Sequence, residues 1–328
     1  MKTLIQKAKK LKDKTIVLPE PEDLRVLKAA EYLAENEILN PLLIGSGDEI
    51  LKTAKNNGLE IVASGAVQVK NWENESRQEE LFEILKQRLL HKNFTEQELM
   101  QRASDPLHYA GLLTAADYTD GVVAGSIATT ASVIRAALAT AGLAKNSKIV
   151  SSIFLMKLKN GQVVTYADCG VVPAPEPEQL VDIAVNSAKT HHILTGTEPA
   201  VAFLSFSTKG SARHESVDKV QEAVEIAKKE YPELLLDGEL QFDAAFVPEI
   251  TQKKAPGSPL KGKANVFIFP DLNAANIAYK ITERLAEAEA TGPILQGLVK
   301  PYMDLSRGCS WKDIVNAAAV AALLSDAH

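Results

Sequence analysis

Near its C-terminal end the chain reads KPYMDLSRGCSWKDIVN, from Lys300 to Asn316. Ser306, Arg307, Cys309 and Asp313 fall together just ahead of an apolar, helix-like run. A hydroxyl, a fixed cation, a thiol and a carboxylate at that spacing could carry acyl or phosphoryl chemistry. The bland alternative is a helix cap. Ser310 followed by Asp313 fits a capping box, which accounts for Asp313 without any chemistry. On local pattern alone capping is the stronger reading. The two are compatible, however, because a helix N-terminus presents unpaired N–H groups and the positive end of the dipole. Arg307 on the preceding turn adds a fork of donors suited to phosphate, with the Ser306 hydroxyl beside it.

A second stretch of this kind is GSIATTASVIRAAL, which begins at Gly125. Its small residues let backbone approach a ligand, and Ser126, Thr129 and Thr130 open a helix that carries Arg135. Two phosphate-type sites with an acid between them point to phosphoryl or acyl-phosphate chemistry. Other strand ends are polar too. VVTYADCG ends in Asp168 and Cys169, AFLSFSTKGSA supplies Ser207 and Lys209, and VFIFPDLNAAN ends in Asp271, Asn273 and Asn276. In open α/β sheets ligands bind beyond the carboxyl ends of strands, so these loops predict a cleft. For any one of these residues, capping the next helix is the better explanation.

No GxxxxGK[ST] loop is present and no GxGxxG follows a strand, so a P-loop or dinucleotide fingerprint is lacking. Neither HExxH nor a paired-cysteine motif occurs, and a metal site has no sequence case. The adjacent His191 and His192 are expected on the surface of a helix.

These residues need positioning elements, and the chain supplies them in alternation. TIVLPE is a short strand, EDLRVLKAAEYLAE carries a helical apolar stripe, NPLLIGSG is strand and turn, and DEILKTAKNNG is a helix with a glycine stop. Such alternation predicts a parallel sheet covered by helices. Helices are expected over Arg77–His91, Glu96–Ala103 and Leu107–Tyr118. Around residue 145 the rhythm changes: KIVSSIFLMKLKNGQVVTYAD holds two apolar runs about KNG, a hairpin signal. The strand–helix pattern then resumes, with the stretch Lys253–Ala264 read as a loop.

The 328 residues suffice for two domains, and 46% hydrophobic with 24% charged residues is a globular composition. A formal charge of −6 without a basic stripe argues against nucleic acid. The basic run Lys7–Lys14 is interleaved with apolar residues and reads as a solvated helix face. Two cysteines, Cys169 and Cys309, make no disulfide framework and read as free thiols. The N-terminus lacks the apolar core of a signal peptide, and no run approaches the ~20 apolar residues of a membrane span. The expectation is a cytoplasmic protein with no membrane partner.

LSFSTKGSA, DGELQFDAA, NVFIFPDLNAANIAYKI, GPILQGLVKP and DLSRGCS together resemble the phosphate acetyltransferases, and YADCGVVPAPEPEQLVDIAVNSA, TDGVVAGS and PEPEDLRVLKAAEYL extend the likeness over nearly the whole chain. The resemblance implies two three-layer α/β/α domains with a cleft between them, similar to isocitrate and isopropylmalate dehydrogenase-like folds. One domain would comprise residues 1–145 plus 293–328 and the other 146–292. It implies reversible acetyl transfer between acetyl phosphate and coenzyme A by direct thiolate attack, in a homodimer without prosthetic group or metal, coenzyme A being a substrate. By position, Asp313 matches the base for the CoA thiol, Ser306 the residue that steadies the tetrahedral intermediate, and Arg307 the arginine that stabilises phosphate. Arg135 matches a second essential arginine and Arg88 is the candidate for CoA recognition, although the spacing around it is one residue longer than in the family. Cys309 matches a cysteine near the site that is not a nucleophile. Met303 in place of asparagine, RAALAT in place of RPALQ, and alanines in NAANIAYK depart from the family pattern. Phosphate butyryltransferase and a non-catalytic acyl-CoA-sensing module of the same fold are the alternatives.

Overall fold

The computed structural model describes residues 2–327. Eleven strands form among them: β1 (Thr15–Leu18), β2 (Asn40–Ile44), β3 (Gln68–Lys70), β4 (Gly121–Ala124), β5 (Ser151–Lys157), β6 (Val163–Ala167), β7 (Val201–Leu204), β8 (Leu236–Leu240), β9 (Val266–Ile268), β10 (Glu289–Gln296) and β11 (Tyr302–Asp304). The chain divides into two compact units. One runs through Lys145 and resumes at Leu298, and the other spans Asn146–Gly297.

In the first unit the strand order is β11-β4-β1-β2-β3, and every pairing is parallel. The chain adds β2 and β3 on one side of β1, then returns to place β4 and β11 on the other. The boundary between β1 and β4 is therefore a topological switch point, where the connections leave in opposite directions. β4 is buried along its whole length, as a strand inside a helix-covered parallel sheet must be. The helix Trp311–Asp326 packs on it closely enough that a side chain at Gly121 would stand 3.2 Å from the methyl of Ala321. The helix Pro106–Ala115 is buried from His108 through Thr114, on all its faces.

The second unit carries a mixed sheet of order β10-β5-β6-β9-β7-β8. β5 and β6 form the hairpin that KNG predicts, with Gly161 at φ +86° in the turn, and β10 adds antiparallel to β5. The remaining pairings are parallel. Tyr166 sits between Phe267 and Phe269 in the core, with ring centroids 5.8 and 5.2 Å away.

One strand is unusual in its polar content, and one histidine departs from the sequence expectation. β8 reads LDGEL yet is buried throughout. Its two acids find partners on other elements: Asp237 Oδ1 pairs with Lys209 and Lys228 while Oδ2 has no hydrogen-bond partner, and Glu239 accepts from the Ser207 hydroxyl and the Gly210 N–H. Polar residues inside a strand erase the alternation by which strands are recognised. His191 is fully buried, not exposed; only His192 is on the surface. The His191 ring lies between the hydroxyls of Thr165 and Thr197, each at 2.8 Å.

Burial lowers His191 from an ordinary 6.5 to about 4, so the folded state favours the neutral ring. The unfolded chain then binds more protons between those values, and stability is lost as pH falls through that window, by about 3 kcal/mol. His191→Gln is expected to melt at a temperature that changes less between pH 7 and pH 4.5 than that of the parent, as scanning calorimetry at both pH values would record.

Candidate active site

β1, β4 and β11 are neighbours running in the same direction, so the loops leaving their carboxyl ends emerge side by side. These loops are Pro19–Asp23, Gly125–Thr129 and Leu305–Ser310. Each leads into a helix: Leu24–Glu35, Thr130–Thr140 and Trp311–Asp326. The register places Asp304 opposite Ala124, so the Ser306 loop starts level with the Ser126 loop.

The third loop holds the residues that open the sequence argument. Ser310 caps the last helix, and Asp313 Oδ2 accepts from the Ser310 N–H and Oγ–H, both at 2.8 Å. The capping box is therefore present. It uses only one carboxylate oxygen, and Asp313 is exposed. Ser306 Oγ accepts from the Gly308 N–H at 3.2 Å, which leaves its hydroxyl proton free to donate outward. The Arg307 side chain is exposed, and no acid among the described residues pairs with it. Cys309 is half-buried. Burial, reinforced by Asp313 and Asp23 against the pull of Arg25, pushes its thiol above the ordinary value and keeps it protonated.

The second loop is built differently from what its sequence suggests. Its backbone N–H groups do form an anion cradle, but Glu20 fills it. Glu20 Oε2 accepts from Gly125 N, Ser126 N and Ser126 Oγ at 2.7, 2.8 and 3.2 Å, and Oε1 accepts from Ile127 N and Ala128 N at 3.1 and 2.7 Å. Ser126 is thereby buried in the framework. Thr129 caps the next helix through Ser132 N, and the Thr130 hydroxyl donates to Asp304 Oδ2 at 2.7 Å. Arg135 is exposed and gives one hydrogen bond, to Ser132 Oγ. Unpaired cation, free hydroxyl and half-used carboxylate therefore stand on one loop and the first turn of the helix it opens, next to the switch point, and such groups can hold a phosphate, steady an oxyanion and accept a proton.

Comparison with known proteins agrees with that chemistry. A family model described as "Phosphate acetyl/butaryl transferase" matches residues 1–322. The phosphate acetyltransferase of Thermoanaerobacterium thermosaccharolyticum is 45% identical over 329 residues, spanning 98% of each chain. The chain belongs to the phosphate acetyl/butyryl transferase family. A phosphotransacetylase from Streptococcus pyogenes superposes with a TM-score of 0.94 at 38% identity, covering 100% of this chain and 99% of that one. The 4-hydroxythreonine-4-phosphate dehydrogenase of Klebsiella pneumoniae, at 12% identity and a TM-score of 0.55 over 96% of this chain and 99% of its own, shares the fold alone.

In this family member the remaining predicted residues belong to other segments than the three loops. Arg88 ends the helix Gln78–Arg88, and its guanidinium lies against Gly142, where an added side chain would stand 2.5 Å from Nη1. Ser207 and Lys209 belong to the other unit. Ser207 Oγ donates to Glu239 at 2.8 Å, and Lys209 Nζ donates to Asp237 and the Gly238 carbonyl, both at 2.6 Å. Glu20, Arg25 and Asp304 are the site residues that sequence reasoning did not single out. Glu20 does follow a strand in LPEPED, and Asp304 stands two residues before Ser306, so position relative to strand ends was the signal. Among the described residues no group of three or more His, Cys, Asp or Glu side chains could hold a metal ion, and no helix is long and apolar enough to cross a membrane.

Asp304 is 3% exposed, and its Oδ1 has no hydrogen-bond partner. Burial, with Glu20 adding to it and Thr130 opposing, raises its carboxyl to about 6. The folded state thus holds this proton longer than the unfolded chain, and stability falls as pH rises from about 4 through 6, by roughly 3 kcal/mol. That slope is opposite in sign to the one from His191. Asp304→Asn retains an acceptor for Thr130 and is expected to remove the loss, gaining stability over the parent at pH 7.5 but not at pH 4, as denaturant melts at both pH values would show.

Proposed function

We propose that this enzyme transfers an acetyl group reversibly between acetyl phosphate and coenzyme A by direct attack of the CoA thiolate in a ternary complex. The observation that carries the reading is an exposed Arg307 with no acid partner and a Ser306 hydroxyl free to donate, on the loop that leads into the helix carrying Asp313. Asp313 takes the thiol proton on the carboxylate oxygen that the cap leaves free. A thiol titrates near 8.5 unperturbed, so a base is needed at neutral pH.

The thiolate sulfur bonds to the acyl carbon, and the carbonyl electrons move onto oxygen. Ser306 Oγ–H donates to that oxyanion. Collapse breaks the carbon–oxygen bond to phosphorus and releases phosphate to Arg307, whose planar fork suits it. A protonated, half-buried Cys309 supports transfer without a covalent enzyme intermediate. Arg135, with only one of its five donors engaged, and Arg88 are the cations assigned to CoA phosphates. The same reading carries a cytoplasmic homodimer with no prosthetic group.

Acetyl phosphate with CoA is expected to give thioester, followed by absorbance, faster than butyryl phosphate does. The reverse preference would move the assignment to butyryl transfer. Asp313→Asn keeps an oxygen for the Ser310 cap, so the fold should survive while kcat falls by about 100-fold or more. KM for CoA should stay within about threefold, because the loss lies in the transition state and not in binding. Strong residual turnover in this variant would reduce Asp313 to a capping role.

A further inference from the structure

The segment joining β1 to its helix does more than connect them. Arg25 stands on the first turn of that helix, with its side chain 33% exposed, and Asp23, at 10%, caps the helix and grips the guanidinium. Arg25 Nε donates to both Asp23 oxygens at 3.0 Å, and Nη2 donates to Asp23 Oδ2 at 2.6 Å. The remaining donors reach main-chain carbonyls. Nη1 donates to Arg307 O at 2.8 Å and Cys309 O at 2.6 Å, and Nη2 to Ser126 O at 3.0 Å. A guanidinium has five N–H donors, and here all five are engaged. Arg25 therefore has no donor left for a substrate phosphate, whereas Arg307, two residues before Cys309, has all of its own.

We propose that Arg25 is a positioning residue: held by Asp23, it ties the Ser306–Ser310 loop and the Ser126 loop to a single geometry, so that Ser306, Arg307 and Asp313 face the reacting group together. The inference rests on the acyl-transfer reading of that site. Glu20, five residues earlier, completes the device. It takes the N–H groups of the Ser126 loop while Arg25 takes its carbonyl, so one short segment holds that loop by donor and acceptor alike. The Ser306 loop is held from the same segment through two carbonyls. A planar, five-donor group can span three carbonyls and a carboxylate at once, and an ammonium with three donors cannot.

The test compares the parent with Arg25→Ala and Arg25→Lys by steady-state kinetics and by hydrogen exchange of backbone amides. A misplacement of about 1 Å at reacting groups costs on the order of 100-fold, so kcat should drop by about that factor while KM for CoA and for acetyl phosphate stay within a few-fold. Guanidinium ion, added well below denaturing concentrations, should restore part of the kcat of Arg25→Ala. In both variants the amides of residues 125–129 and 305–310 should exchange about tenfold faster together, with the rest of the chain unchanged. A raised KM with kcat retained would make Arg25 a substrate-binding residue and overturn the proposal. So would unchanged exchange in either loop. Should Arg25→Ala fail to fold, the same readouts on Arg25→Lys decide. If the parent turns over neither acetyl nor butyryl phosphate, the functional reading fails, and the exchange result still decides whether Arg25 is a clamp.

Discussion

Four consecutive backbone N–H groups, from Gly125 to Ala128, converge on one buried carboxylate, that of Glu20. Much else at the switch point depends on that contact. A strand that ends in a tight turn leaves donors pointing the same way, and buried donors without acceptors cost about 1–3 kcal/mol each. Glu20 answers all of them from the loop that follows the adjacent strand. The anion cradle is therefore internal, and the exposed, unpaired groups stand one loop further along the sheet, at Arg307 and Ser306.

The same contact constrains its neighbours. Asp304 leaves β11 beside Glu20, and its second oxygen has no partner. Burial, with the Glu20 charge adding to it, raises the Asp304 carboxyl. Gly125 separates them at φ +102°, and a side chain there would stand 2.6 Å from Asp304 Oδ1 and 2.8 Å from the Leu305 nitrogen. Only glycine allows the chain to leave β4 at that angle and lets β11 come so close.

The second unit repeats the device. Asp168, at the end of β6, accepts from the backbone N–H groups of Ser152, Gly170, Val171 and Val172 and from the Ser152 hydroxyl. It too is buried and is raised by that burial. Acids at strand ends in this protein are thus largely structural, filling turns, while the exposed Asp313 keeps one oxygen outside its cap. Burial and partner count, more than residue type, separate the framework carboxylates from an exposed one with an oxygen to spare.

The features legible in the sequence are local. The Ser310–Asp313 cap, the KNG hairpin, the alternation of strand and helix, and the clustering of Ser306 with Arg307 each depend on residues a few positions apart, and a regular period or an i,i+3 spacing reveals them. The family motifs likewise run along contiguous stretches, so they identified the enzyme class. What only the tertiary structure decided lies far apart in the chain. Glu20 and Gly125 are separated by 105 positions, and Arg25 and Arg307 by 282. The burial of His191 and of the acidic strand β8 depends on partners brought in by other elements. Strand order is set by which apolar faces can be covered at once, and no local pattern encodes it. The sequence by itself determined the chemistry available at the Ser306 loop. The parallel order β11-β4-β1 decided which side chains hold that loop and which remain free, because adjacent carboxyl ends place residues from three distant segments within hydrogen-bond reach.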